Sequence, residues 1–152
     1  MIKLENVSLT FGLSNISCHI PQGKLIGIMG ANGAGKSTLL KSIAGILPLT
    51  SGEIWLGHCK LSAMSAKQKS EQLAYFAQNI HIHWDLSVYD VIALGLTIPT
   101  KDEAEKVRSV SEQFSISHLL EKPFQHLSGG EKARVQLARC CIKQASLLLA
   151  DE

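Results

Sequence analysis

The sequence predicts an α/β fold, on three observations. KLIGIM (24–29) is an uninterrupted apolar run that passes through a glycine-rich stretch into an amphipathic helix near Lys36, as a strand buried on both faces would before a helix. SLLLA (146–150) is a second such run, reached through a helix of about fifteen residues, and it ends on Asp151 and Glu152. Ahead of both, LSNISCHI (13–20) alternates Ile16, Cys18 and Ile20 with polar residues, the period of a strand with one covered face.

In chain order, IKLENVSLTF (2–11) and LSNISCHI form the first two expected strands, and Pro21-Gln22-Gly23 turns the chain into KLIGIM. The helix from Lys36 carries Leu39, Leu40, Ile43 and Leu47 on one face. Ser51-Gly52 leads into the strand EIWL (53–56), Ser65-x-x-Gln68 marks a helix start, and LAYFAQ (73–78) reads as a further strand. Residues 79–135 read as mostly helical. Ser87-x-x-Asp90 has the form of a capping box with Leu86 and Val91 as a hydrophobic staple, and Thr100-x-x-Glu103 opens a helix whose Val107, Val110 and Phe114 share a face. The last helix is expected from about Gly129 to Lys143.

A chain of 152 residues is one domain's length, enough to bury roughly two-thirds of its unfolded surface. A net charge of +2 is too small to make nucleic acid an expected partner. The four cysteines show no C-x-x-C spacing, which fits a reducing compartment better than a disulfide framework. No apolar stretch approaches the roughly 18 residues of a membrane span, and the first residues lack a signal-peptide pattern. His81-x-His83 shares a strand face, but no cysteine or carboxylate is placed beside it by sequence, so a metal role is not assigned.

GIMGANGAGKST (27–38) contains Gly30-x-x-x-x-Gly35-Lys36-Ser37. Glycines let the backbone curl so that several N–H groups converge on phosphate oxygens, and the following helix presents its positive end to the same anion. Lys36 reaches the β- and γ-phosphates, and the Ser37 hydroxyl is placed to coordinate Mg²⁺. Chance matching of the fixed positions is on the order of one in a few hundred at average residue usage. Candidate ATP-contacting residues here are Gly30, Asn32, Gly33, Ala34, Gly35, Lys36, Ser37 and Thr38.

HLSGGEKARVQLAR (126–139) holds a second glycine cluster. Ser128-x-x-Glu131 is a capping box, which accounts for the serine and the glutamate. It leaves Gly129 and Gly130 unexplained, since each glycine in a helix costs roughly 0.5–1 kcal/mol relative to alanine. A ligand approaching the backbone would explain them: Ser128, Gly129, Gly130 and the helix N-terminus form a second candidate anion site.

LSGGE, about 90 residues after the phosphate loop, resembles the signature sequence of ATP-binding cassette (ABC) ATPases. The resemblance covers the whole chain. It implies a P-loop NTPase of ABC type, with a three-layer core, an N-terminal antiparallel β subdomain and a helical subdomain at about 79–135. It implies ATP and Mg²⁺ as ligands, and a head-to-tail homodimer, or a pair with a second ABC ATPase subunit, in which Ser128, Gly129 and Gly130 contact ATP held by the other copy. LLLADE (147–152) matches Walker B, with Asp151 holding Mg²⁺ and Glu152 polarising the attacking water. Gln78 falls at the Q-loop position, sensing Mg²⁺ and water. Glu152, Lys36 and Gln78 are thus the catalytic candidates, and Ser37, Gln78 and Asp151 the metal candidates. Phe11 falls near the aromatic that stacks on adenine; the family often has Tyr there, and a phenylalanine in a strand is also commonly core.

The family continues beyond Walker B with a D-loop, a further strand and a switch histidine. The expectation is therefore a C-terminally truncated ABC domain lacking the C-terminal strands, poorly active as an ATPase and unstable at its open strand edges. The stretch FAQNIHIHWDLSVYDVIALG (76–95) resembles ATPases of importers for iron–siderophore, haem and cobalamin. That implies a cytoplasmic subunit, peripheral at the inner face of the membrane, docked on integral membrane permease subunits and driving import of a metal chelate or similar solute. An ABC ATPase outside transport, and a fragment that binds nucleotide without catalysis, remain as alternatives.

Overall fold

The computed structural model describes residues 1–77, 85–96, 98 and 101–151. They fall into two compact units, Met1–Lys69 and Ser70–Glu152.

The first unit is built on a four-stranded antiparallel sheet in the order β2-β1-β3-β4, from β1 (Ile2–Ser8), β2 (Ile16–Ile20), β3 (Ser51–Leu56) and β4 (Cys59–Lys60). Ile2 and Leu4 of β1 and Ile54 of β3 are buried, and Leu4 lies opposite Ile54. Lys3, Glu5, Trp55 and Lys60 stand on the other face. There Lys3 pairs with Glu5, Trp55 Nε1 donates to Glu5, and Lys60 lies over the Trp55 ring. After Glu5 the register shifts: Asn6 takes a positive φ of 51° and Val7, not residue 6, is the next buried side chain. One left-handed residue thus reverses which parity faces inward. Helix α1 (Lys36–Ile43) buries Leu40 and Ile43.

The expected strand at 24–29 does not form. Residues 24–30 carry no regular structure, and Leu25 and Met29 are 102% and 94% exposed. A strand exists only where a neighbour completes its ladder, and among the described residues none pairs with this segment. The apolar run alone could not specify that partner.

In the second unit β5 (Leu73–Phe76) and β6 (Leu147–Ala150) run parallel, with Leu73 opposite Leu147 and Phe76 opposite Ala150. Between them come α3 (Val88–Ala93), α4 (Glu103–Gln113) and α5 (Gly129–Cys141); α2 (Ala66–Gln72) precedes β5, capped by the reciprocal Ser65–Gln68 bonds. The three helices share one core, including Val88, Val91, Ile92, Val107, Val110, Val135 and Ala138, with Leu86 and Phe114 packed against it. Gly95, just after α3, is required by contact: a Cβ there would overlap the Arg139 carbonyl and the Ile142 side chain of the α5 segment. The Ser87–Asp90 capping box is present in full. Thr100 lies outside the described residues, and α4 starts after Asp102. At the end of α5, Lys143 Nζ donates to the carbonyls of Ser70 and Leu73, both at 2.6 Å, and so ties the chain after α5 to the start of β5. Burial holds its ammonium below the usual lysine range.

Replacing Ile92, fully buried at the centre of this core, by alanine is expected to destabilise the second unit by about 2–5 kcal/mol, read as a lower denaturant midpoint.

Candidate functional site

The glycine-rich loop leaves residues 30–34 exposed and enters α1 through Gly35. Gly35 has a φ of 89°, and a Cβ on it would overlap the Gly12 carbonyl and press on Leu13. Glycine is therefore fixed here twice, by left-handed backbone and by lack of space. Gly12 also lies against Thr38: a Cβ on Gly12 would meet the Thr38 hydroxyl at 3.4 Å. The segment before Leu13 is thereby held on the loop's exit, and Phe11, next to Gly12, is 82% exposed. The reading of Phe11 as a core residue is therefore not borne out.

Lys36 folds back across the loop, its Nζ donating to the carbonyls of Gly30 (2.9 Å) and Ala31 (3.0 Å). Its ammonium is thus held by two carbonyls of the loop itself. No side chain caps α1, and its first turn holds no acidic residue. Helices α3 and α5 have complete capping boxes, α2 the Ser65–Gln68 pair, and α4 Glu103 and Glu105 in its first turn. Among the described α-helices α1 alone has neither device. Its positive N-terminal end is left for an anion.

Ser128 caps α5. Its amide and hydroxyl donate to Glu131 Oε2 at 2.8 and 2.6 Å, and its Oγ accepts from the Glu131 amide. These bonds hold the Glu131 carboxyl below the usual range. Gly129 and Gly130 form the first turn, and a Cβ on either would meet nothing within 4 Å. The fold makes no demand for glycine at either place.

Asp151 follows β6 and is 5% exposed. Its amide donates to the Phe76 carbonyl at 2.9 Å, extending the parallel ladder by one bond. The Tyr75 hydroxyl donates to its Oδ2 at 3.0 Å. Burial, and then this bond, push the Tyr75 phenol up to about 12, so it remains a donor at neutral pH. Sequence reasoning did not single out Tyr75. The one available signal was a hydroxyl inside an otherwise apolar strand. Gln78, Glu152, His81 and His83 lie outside the described residues.

A hard cation such as Mg²⁺ takes oxygen ligands. In the first unit Ser37 offers a hydroxyl in the first turn of α1, and in the second unit Asp151 offers a nearly buried carboxylate; each is an oxygen donor of the kind the ion takes.

A family model described as ABC transporter matches residues 13–152. The hemin import ATP-binding protein HmuV of Bordetella parapertussis is 39% identical over 146 residues, which are 91% of this chain and 56% of that protein. The molybdate/tungstate import ATP-binding protein WtpC of Pyrococcus horikoshii is 37% identical over all of this chain and 45% of its own length. Among solved structures, cbiO1 from Clostridium perfringens, part of the ABC transporter complex cbiONQ, superposes with a TM-score of 0.85 at 28% identity, covering 99% of this chain and 64% of that one. The chain thus spans about half the length of these two import proteins.

Because Gly129 and Gly130 satisfy no packing need, alanine at either position is expected to raise stability by up to about 1 kcal/mol, measured by chemical denaturation. Destabilisation would mean that the glycines serve the fold after all.

Proposed function

Since this chain belongs to the ABC transporter family, we propose that it is the ATP-binding part of an importer, coupling ATP binding and hydrolysis to uptake of a metal chelate or a similar solute. The observation that carries this reading is the bare N-terminus of α1 behind a glycine loop bridged by Lys36. Phosphoryl transfer asks the protein for positioning and charge neutralisation more than for covalent chemistry, and this segment offers both.

The roles divide as follows. The loop residues Gly30, Asn32, Gly33, Ala34, Gly35, Ser37 and Thr38 hold the triphosphate. Lys36 leaves the Gly30 and Ala31 carbonyls for the β- and γ-phosphate oxygens, exchanging two neutral acceptors for charged ones. Phe11 stacks on the adenine, a role its exposed ring beside the loop supports. Ser37 and Asp151, with Gln78, hold Mg²⁺, which neutralises phosphate charge when bound. Glu152 orients and deprotonates the attacking water. Ser128, Gly129 and Gly130 close over ATP held by a second copy of the subunit, and the open space at both glycines favours that approach. The expected partners are that second subunit and an integral membrane permease. No described helix is long and apolar enough to cross a membrane. Import of haem by one relative and of molybdate or tungstate by another supports import as the direction; the haem relative supports a metal chelate as the cargo.

Lys36→Ala is expected to lower ATP turnover by about 100-fold or more and to weaken ATP binding, measured by steady-state hydrolysis and by titration with a fluorescent nucleotide. Unchanged affinity and turnover would sink the reading. Glu152→Gln is expected to lose about 10²–10⁴-fold in turnover while ATP still binds. Gly129→Ala is expected to pair its gain in stability with a loss of turnover, a combination that a purely structural glycine cannot produce.

A further inference from the structure

The hydroxyl of Tyr75 is not among the groups that the proposed function assigns to nucleotide, cation or water. Tyr75 lies opposite Leu149 in the parallel register. Alternate residues of a strand share a face, so Asp151 continues the face on which Leu149 stands. From β5 the phenol reaches diagonally to Asp151 Oδ2 at 3.0 Å. The next residue of the same strand, Phe76, accepts the Asp151 amide at 2.9 Å. Two successive residues of β5 thus fix Asp151, one through its backbone and one through its carboxylate. Tyr75 is itself held, since its carbonyl accepts from the Cys140 thiol at 3.6 Å.

Packing alone would be served by phenylalanine. The terminal torsion of an aspartate is soft, with a broad range of settings, and residue 151 stands where the ladder stops. Mg²⁺ demands near-ideal geometry from its ligands, and carboxylates that ligate metals are in turn held by hydrogen bonds. We propose that Tyr75 is a positioning residue for the divalent cation: its hydroxyl holds the Asp151 carboxylate in the orientation that receives the ion. This rests on Asp151 being the cation-side carboxylate of the nucleotide site.

The test uses the full chain with a non-hydrolysable ATP analogue, and Mn²⁺ binding read by electron paramagnetic resonance. Tyr75→Phe is expected to weaken nucleotide-dependent Mn²⁺ binding by about 10–100-fold, with analogue affinity in EDTA unchanged. Asp151→Asn weakens Mn²⁺ binding too, and adding Tyr75→Phe to it produces no further loss. Wild-type Mn²⁺ affinity in a folded Tyr75→Phe protein overturns the inference. If that variant does not fold, 3-fluorotyrosine at position 75 in the otherwise unchanged chain replaces it. Its ¹⁹F resonance is expected to shift when Mg²⁺ joins the bound analogue, and not in Asp151→Asn; no shift in the unchanged chain overturns the inference. If the analogue does not bind even in EDTA, the nucleotide reading itself fails and takes this one with it.

Discussion

The contact between Gly12 and Gly35 is the constraint on which the phosphate-loop region depends. The Gly12 carbonyl occupies the space a side chain at position 35 would need, while Gly35 itself sits at a φ of 89°. A left-handed setting alone costs an L-residue roughly 1–2 kcal/mol; the overlap adds to it. With that corner fixed, the loop enters α1 with no residue in place to cap it. The same contact brings the neighbour of Gly12, the exposed Phe11, beside the loop. An uncapped helix start behind a glycine loop and an exposed aromatic ring beside it thus follow from one close approach between two glycines. Lys36 completes the arrangement from within, bonded to two loop carbonyls and so held at the turn before any ligand arrives.

Asp151 shows a different way of presenting charge. A buried carboxylate without partners is costly, and a strand end offers few backbone donors. The parallel pairing of β5 with β6 supplies what is missing, because its register brings a phenol from the neighbouring strand to the carboxylate. A shift of the β5–β6 register by one residue would turn Tyr75 to the other face and leave Asp151 without that donor. Lys143, bonded to the Ser70 and Leu73 carbonyls, anchors the chain at the opposite end of the same strand pair, where it opposes such a slip.

What was legible in the sequence follows from how far apart the deciding residues stand. The boxes at Ser65, Ser87 and Ser128 formed as read, because each needs only residues three positions apart. The phosphate-loop glycines were legible as a motif, but the reason for Gly35 was not: it lies in Gly12, 23 positions earlier. The run 24–29 misled because hydrophobicity specifies burial of a strand without specifying its neighbour. The inward parity of β1 beyond Glu5 was hidden by a single asparagine at positive φ. Tyr75 was out of reach for the same kind of reason as Gly12, since its partner is 76 residues away across a parallel pairing.

Helix α5 brings these considerations together. Its first turn carries two glycines that weaken it and that no neighbour requires, and further along Gln136 is buried with neither end of its amide bonded among the described residues. An unsatisfied buried polar group costs about 1–3 kcal/mol. A helix of 13 residues with such burdens is marginal by itself. It forms because its other face is fixed elsewhere: Val135 and Ala138 of α5 and the following Ile142 lie in the shared core with α3 and α4, and Gly95 lets the end of α3 come against the Arg139 backbone. The capping box then closes the exposed end without placing any side chain over Gly129 or Gly130. Strong packing at the C-terminal half of α5 is what permits a weakened, open N-terminal turn, and the proposed nucleotide contact falls on that turn.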